Sequence, residues 1–224
     1  DKTNYRWRFC LLDMELGLLP NGWTDCYFDH INHMLGQDPN NPYINVWLKG
    51  MQNPRFRNYF INRFADLMNT SYKIERISAI EQSMFNQTVL EMPREYSRWG
   101  DPNNVAQQMT DFVNRHHEFQ FQLSERTGQV RNHIQADLGL NGQVEVTIDA
   151  FPAGAGTIKI STVTPDALPW TGVYFDGNPV VITATPNPGY AFVYWDANSI
   201  FTSPDFNASI ELNIPTDETF RAVF

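Results

Sequence analysis

The sequence predicts an α+β chain: a mostly helical part over residues 1–141, then a small all-β, antiparallel domain over residues 142–224. Two observations predict it. Composition changes near residue 142, from Arg, Asn, Gln, Met and aromatics at helical intervals to short alternating runs of Val, Ile, Thr, Gly and Pro. Turn signals then divide the second part: Ala153-Gly154-Ala155-Gly156, Asp176-Gly177-Asn178-Pro179 and Asn187-Pro188-Gly189.

Residues 5–12 read as a strand that ends in the apolar run Phe9-Cys10-Leu11-Leu12, and Pro20-Asn21-Gly22 reads as a turn. Asp25 to Leu35 carries Phe28, Ile31 and Leu35 at helical intervals. Asn41-Pro42 gives a cap and a proline at the first helical position, opening a short helix through Trp47. Asn53-Pro54 starts a stronger helix with the broad stripe Phe56, Tyr59, Phe60, Phe64, Leu67 and Met68. Ser71 to Glu91 carries Ile74, Ile77, Ile80 and Met84. Asn104 to Ser124 carries Val105, Met109, Phe112, Val113, His116, Phe119 and Leu123. A last helix, 127–138, turns Val130, Ile134 and Leu138 inward and ends near Gly139, a C-cap candidate. All these stripes are expected to be core.

The β part alternates. Val144, Val146 and Ile148 share a face, as do Ile158 with Ile160 and Val181 with Thr183, giving six or seven short strands. Asp176-Gly177 between strands is a hairpin signal. Leu140-Asn141-Gly142 is too short a linker to let the two parts swing far.

Bulk properties exclude some functions. The net charge is −9 and no Lys/Arg run exists to displace counterions, so no nucleic-acid partner is expected. No apolar run reaches bilayer length, and DKTNYRWR does not have the form of a signal peptide. A charged start so close to an apolar strand suggests a piece of a longer protein. Cys10 and Cys26 pair only if their backbones approach; two small buried thiols are the expectation.

Asp13 and Glu15 follow the first strand two residues apart. Positions i and i+2 of an extended segment share a face, so both carboxylates point the same way. Held together they repel unless a cation sits between them. A divalent metal is one reading; strand-end acids capping the next turn are the other. His30 and His33 are one helical turn apart, with no third metal ligand evident. His116 and His117 are adjacent and about 100° apart on a helix, which reads as one core and one surface histidine.

Four stretches, in order, carry a resemblance: RWRFCLLDMEL followed by Gly17, the helix NPRFRNYFINRFADLMNT, the SRWGDP segment at 97–102, and the long helix ending HHEFQFQLSER. Together they resemble the C-terminal portion of the spore coat protein H (CotH) kinase family, an atypical, secreted, protein-kinase-like fold. The likeness spans roughly residues 5–138. It implies that Asp13 coordinates Mg²⁺ on nucleotide phosphates, with Glu15 at the second acid position, one methylene longer than the family's Asp. Magnesium takes hard oxygen ligands from one or two carboxylates plus phosphates, which suits such a pair. It also implies that Trp7 stacks on the nucleotide base; packing against a neighbouring strand is the alternative for that ring. Arg98-Trp99 reads as structural, with Trp99 buried.

In that family the catalytic Asp and its nearby Asn, and the phosphate-gripping Lys and Glu, precede the strand, and residues 1–4 hold none of them. No catalytic residue is therefore assigned. The 224-residue chain is expected to be inactive alone and to bind no cofactor, with ATP and Mg²⁺ belonging to the intact parent.

A second resemblance covers the β part. VVITATPNPGYAFVYWDAN at 180–198 and the terminal FRAVF resemble the divergent internalin B-repeat domains of bacterial surface proteins. It implies that Tyr190, Phe192 and Trp195 are core.

Two functions compete. The first is an exported, cell-surface kinase-like parent phosphorylating Ser or Thr on a secreted or surface protein. The second is a non-catalytic surface adhesion or binding protein on a kinase-like scaffold, which Glu15 in place of Asp favours. A third, carbohydrate-directed reading draws on Trp170 and Tyr174 as exposed aromatics, without an acid pair at glycosidase spacing.

Overall fold

The computed structural model describes residues 25–197, 200, 201 and 203–224. The predicted strand 5–12, with Trp7, Cys10, Asp13 and Glu15, lies outside the described residues. Within them the chain forms two compact units, one holding residues 25–28 and 78–126, the other 29–77 and 127–224. The helices are α1 His30–Leu35, α2 Pro42–Met51, α3 Pro54–Asn69, α4 Ile74–Thr88, α5 Met92–Trp99 and α6 Val105–Asp137.

Caps set the helix starts. Asp29 accepts from Asn32 N, so α1 begins at His30 and is shorter than the predicted 25–35. Asn41 accepts from Tyr43 N, and α2 continues past Trp47 to Met51. Asn53 accepts from Arg55 N and Phe56 N, fixing the first turn of α3 behind Pro54. The predicted helices 104–124 and 127–138 are one helix, α6, because Glu125-Arg126 holds no breaker and a lone Gly128 is tolerated. Gly139 ends it at φ +60°, with Leu140 N donating to Gln135 O and Gly139 N to Ala136 O, a Schellman closure. Helix α5, with Pro93 in its first turn, was not predicted.

The buried face of α3 departs from the predicted aromatic stripe. Met68 is buried and Phe60 and Phe64 pack against the core as expected, but Phe56 and Tyr59 are exposed, and Ile61, Asn62, Ala65, Asp66 and Asn69 are buried instead. On α4, Ile80 and Met84 are exposed rather than core.

The strands are β1 Gly142–Phe151, β2 Gly156–Ile160, β3 Trp170–Asp176, β4 Val180–Pro186, β5 Tyr194–Asp196, β6 Ser209–Leu212 and β7 Glu218–Val223. They form a four-stranded sheet, β3-β1-β7-β5, and a three-stranded sheet, β2-β4-β6. All pairings are antiparallel except β1 with β7, which run parallel, so the domain is antiparallel-rich rather than purely antiparallel. The Asp176-Gly177 turn, with Gly177 at φ +90°, carries the chain from β3 in one sheet to β4 in the other and makes no hairpin. Both sheets turn their alternating apolar residues into one cluster: Val144, Val146 and Ile148 meet Ile158, Ile160, Val180, Ile182, Trp195 and Phe220. On β4 the inward set is Val180, Ile182 and Ala184, so Val181 and Thr183 lie on the outer face. Ile61, Ala65 and Met68 of α3 and Ile134 and Leu138 of α6 belong to the same cluster.

Candidate functional site

The densest polar chemistry among the described residues lies along α3. Asn58, Asn62, Asp66 and Asn69 fall at i, i+4, i+8 and i+11, one stripe of the helix. Asp66 is fully buried, and a buried carboxylate is costly unless donors surround it. It has four. Oδ2 accepts from Ser161 Oγ at 2.8 Å, Thr162 N at 3.0 Å and Thr162 Oγ1 at 2.6 Å, and Oδ1 accepts from Tyr174 OH at 2.9 Å. Ser161, at φ 51°, is the one described non-glycine residue in the left-handed region. Its hydroxyl is tied to the carboxylate, which holds the strained turn after β2 in place. Burial, then the Asp66 charge and hydrogen bond, push the Tyr174 phenol well above its ordinary value, so it stays a donor at any physiological pH.

Asn69 does a different job. Its Oδ1 accepts from Val173 N at 2.9 Å and its Nδ2 donates to Val173 O at 2.9 Å, as a neighbouring strand would. β3 is a sheet edge, and this amide closes it. Arg131 Nη2 donates to Asn69 Oδ1 at 2.8 Å and fixes the orientation of the amide. Gly172 leaves room for the approach: a Cβ there would stand 2.8 Å from Asn69 Nδ2 and in collision with the Trp170 ring. Further along, Asn62 and Asn58 both donate to Pro179 O at 2.8 Å, and buried Asn178 donates to Asn62 Oδ1 at 2.9 Å. With four donors on Asp66, the stripe is a latch holding α3 to the β domain.

A second polar cluster lies in the other unit. His116, almost fully buried, places Nδ1 2.7 Å from Glu81 Oε1, with its ring stacked on Phe85 at 3.6 Å between centroids. Gln120 Nε2 donates to Glu81 Oε2 at 3.1 Å. His117 is exposed, as the sequence predicted. In the same unit the Cys26 N–H donates to Gln122 Oε1, and Arg126 donates to the carbonyls of Cys26 and Phe28 at 3.0 and 2.9 Å.

Of the sequence-predicted site residues, Trp7, Asp13 and Glu15 lie outside the described residues. Among the described residues no group of three His, Cys, Asp or Glu is placed to hold a metal, and the His30/His33 pair gains no third ligand. Tyr174, read as exposed, is fully buried on Asp66, and Trp170 opens β3 packed against the core, so neither offers a sugar platform. Trp195 is core, its indole donating to Asn207 O at 3.0 Å, with Phe192 packed beside it. Tyr190 is 48% exposed, contrary to expectation, because it sits in the turn before β5 rather than on a strand. Trp99 is 71% exposed rather than buried, with the Arg98 guanidinium 4.9 Å over its ring.

The α3 latch escaped sequence reasoning. Polar residues at helical spacing ordinarily mark the solvent face, and the one available signal was an acid, Asp66, at helical intervals among three asparagines.

The antiparallel-rich sheets, the buried Trp195 and the closing β7 strand form the setting for a family comparison. Residues 146–224 match the family model of the divergent InlB B-repeat domain. The β part is thus repeat-like from the middle of β1 to the last residue. Searches of curated proteins and of solved structures gave no match. The latch joins this repeat-like region, through Ser161, Thr162, Val173, Tyr174 and Asn178, to a helix that the family match does not cover.

Proposed function

We propose that the chain is the C-terminal portion of an exported, cell-surface CotH-like atypical protein kinase, followed by a divergent InlB B-repeat-like domain that serves as a rigid surface module. One observation carries this reading: an acid pair, Asp13 and Glu15, directly behind an apolar run and followed by NPRFRNYFINRFADLMNT in the kinase family's order. In the intact parent, Asp13 and Glu15 would supply carboxylate oxygens to Mg²⁺, and Trp7 would serve the nucleotide base. Phosphoryl transfer to Ser or Thr of a surface or secreted acceptor would draw on positioning and electrostatics around the nucleotide phosphates. The repeat-like match of residues 146–224 supports the surface setting. The experiment is calorimetry of Mg-ATP on the intact parent and its Asp13→Asn variant, with labelled-phosphate transfer to casein-like acceptors. The reading predicts a loss of about 100-fold or more in transfer for the variant, as removal of a metal-holding charge would give. Equal transfer by both forms rules out the metal role.

A second reading is favoured by Glu15, where the kinase family has Asp: a non-catalytic adhesion or binding protein on the same scaffold. An intact parent that takes up no Mg-ATP selects this one.

A further inference from the structure

The four sheet edges of the β domain are not treated alike. Asn69 closes β3, and Asp205 O accepts from Trp195 N at 2.7 Å to cover β5. On β2, Ile160 exchanges both backbone hydrogen bonds with Val163, at 2.9 Å each, and Lys159 adds a charge that discourages further pairing. β6 carries an exposed charge, Glu211, but no backbone group or side-chain amide among the described residues covers its edge. Ala184 N donates to Ala208 O at 2.8 Å, so in this antiparallel pair residues 208, 210 and 212 turn their backbone groups toward β4. The amides and carbonyls of Ser209 and Glu211 therefore face outward, and no described residue pairs with them.

Glu211 of that strand also lines a cleft of about 780 Å³, together with the α2–α3 corner and the Gly177-Asn178-Pro179 turn. Its volume falls in the range of real ligand sites, about 300–1,000 Å³. Two cations, Arg55 and Arg57, line it in a protein of net charge −9. The Arg57 guanidinium is anchored on Leu138 O. The Arg55 guanidinium is exposed and makes no hydrogen bond or ion pair among the described residues, while its backbone N–H is already taken by Asn53. Glu211 in the same lining disfavours a polyanion, so the ligand that fits carries an isolated carboxylate rather than a phosphate chain.

We propose that β6 and this cleft form a peptide-binding site, in which an extended segment of a partner protein adds as a strand to the outer edge of β6 and seats an acidic side chain or C-terminal carboxylate on Arg55 and Arg57. Main-chain pairing with Ser209 and Glu211 supplies affinity that any extended segment shares, and the arginines select the acid. This site is independent of the nucleotide chemistry proposed above.

The test is fluorescence anisotropy with the full 224-residue chain and three fluorescein-labelled decapeptides of alternating Thr and Val. All three are C-terminally amidated: one ends in a single aspartate, one in a single lysine, and the third is the aspartate peptide with alternate backbone amides methylated. The site predicts saturable binding of the aspartate peptide, about tenfold weaker binding of the lysine peptide, and loss of binding on methylation. Arg55→Glu and Arg55→Gln, each checked for an unchanged melting curve, should weaken the aspartate peptide about tenfold without affecting the fold. Absence of saturable binding, equal binding of the aspartate and lysine peptides, undiminished binding of the methylated peptide, or indifference to both Arg55 variants would each overturn the proposal.

Discussion

Asp66 shows how one carboxylate can be buried without a cation. Two side-chain hydroxyls, one phenol and one backbone N–H surround it, and each bond to a charged acceptor is worth about 1.5–3 kcal/mol net. Asp66→Ala leaves those donors unsatisfied and frees the strained turn at Ser161, so urea denaturation should show a loss on the order of 3–5 kcal/mol. Asp66→Asn keeps the shape but presents an NH₂ to donors and should cost at least half as much. Gly172→Ala forces a Cβ against Trp170 and Asn69, and a loss of about 1–3 kcal/mol is expected in the same measurement. A residue with the opposite sign is Asp137. Burial, then the nearby Asp29 charge, raise its pKa, and its Oδ2 is buried with no hydrogen-bond partner. His133, whose Nδ1 stands 3.8 Å from Asp29 Oδ1, and a backbone hydrogen bond from Asn32 oppose them. A carboxyl raised in the folded state destabilises once ionised: stability is fully present below its ordinary value near 3.8 and falls as pH rises through the raised value. Asp137→Asn should therefore raise the melting temperature at pH 7 by about 1–2 °C, with the gain vanishing below pH 4.

Helix α3 illustrates what the sequence could and could not reveal. Its start was legible, because Asn53-Pro54 is a cap followed by a residue pre-set for the first turn, and Asn41-Pro42 repeats the logic for α2. Its inward face was not, since hydrophobic period assigns the core to the aromatics while Asn62, Asp66 and Asn69 bury themselves through specific partners more than 90 residues away. The strands were legible from alternation, yet pairing was not: nothing local specifies that β7 lies parallel to β1 or that Asp176-Gly177 changes sheets. The expected break between residues 124 and 127 is absent from α6, because no residue there interrupts a helix. The closed edge of β3 gives this element its own prediction. Asn69→Ala removes both bonds to Val173, so the variant should lose about 1–2 kcal/mol and aggregate faster in light scattering as an unpaired strand edge is exposed.

For the molecule as a whole, the repeat-like region of residues 146–224 and the helices packed with it share one hydrophobic cluster and one polar latch. A β domain held this way behaves as a fixed continuation of its helix rather than a module on a tether. The most direct measurement is native-state hydrogen exchange at the backbone amides of Thr162 and Val173, which donate to α3 side chains rather than to another strand. The latch predicts that both exchange as slowly as the central amides of β1 and that Asp66→Ala speeds Thr162 first. Rapid exchange at both amides in the unaltered protein would contradict it.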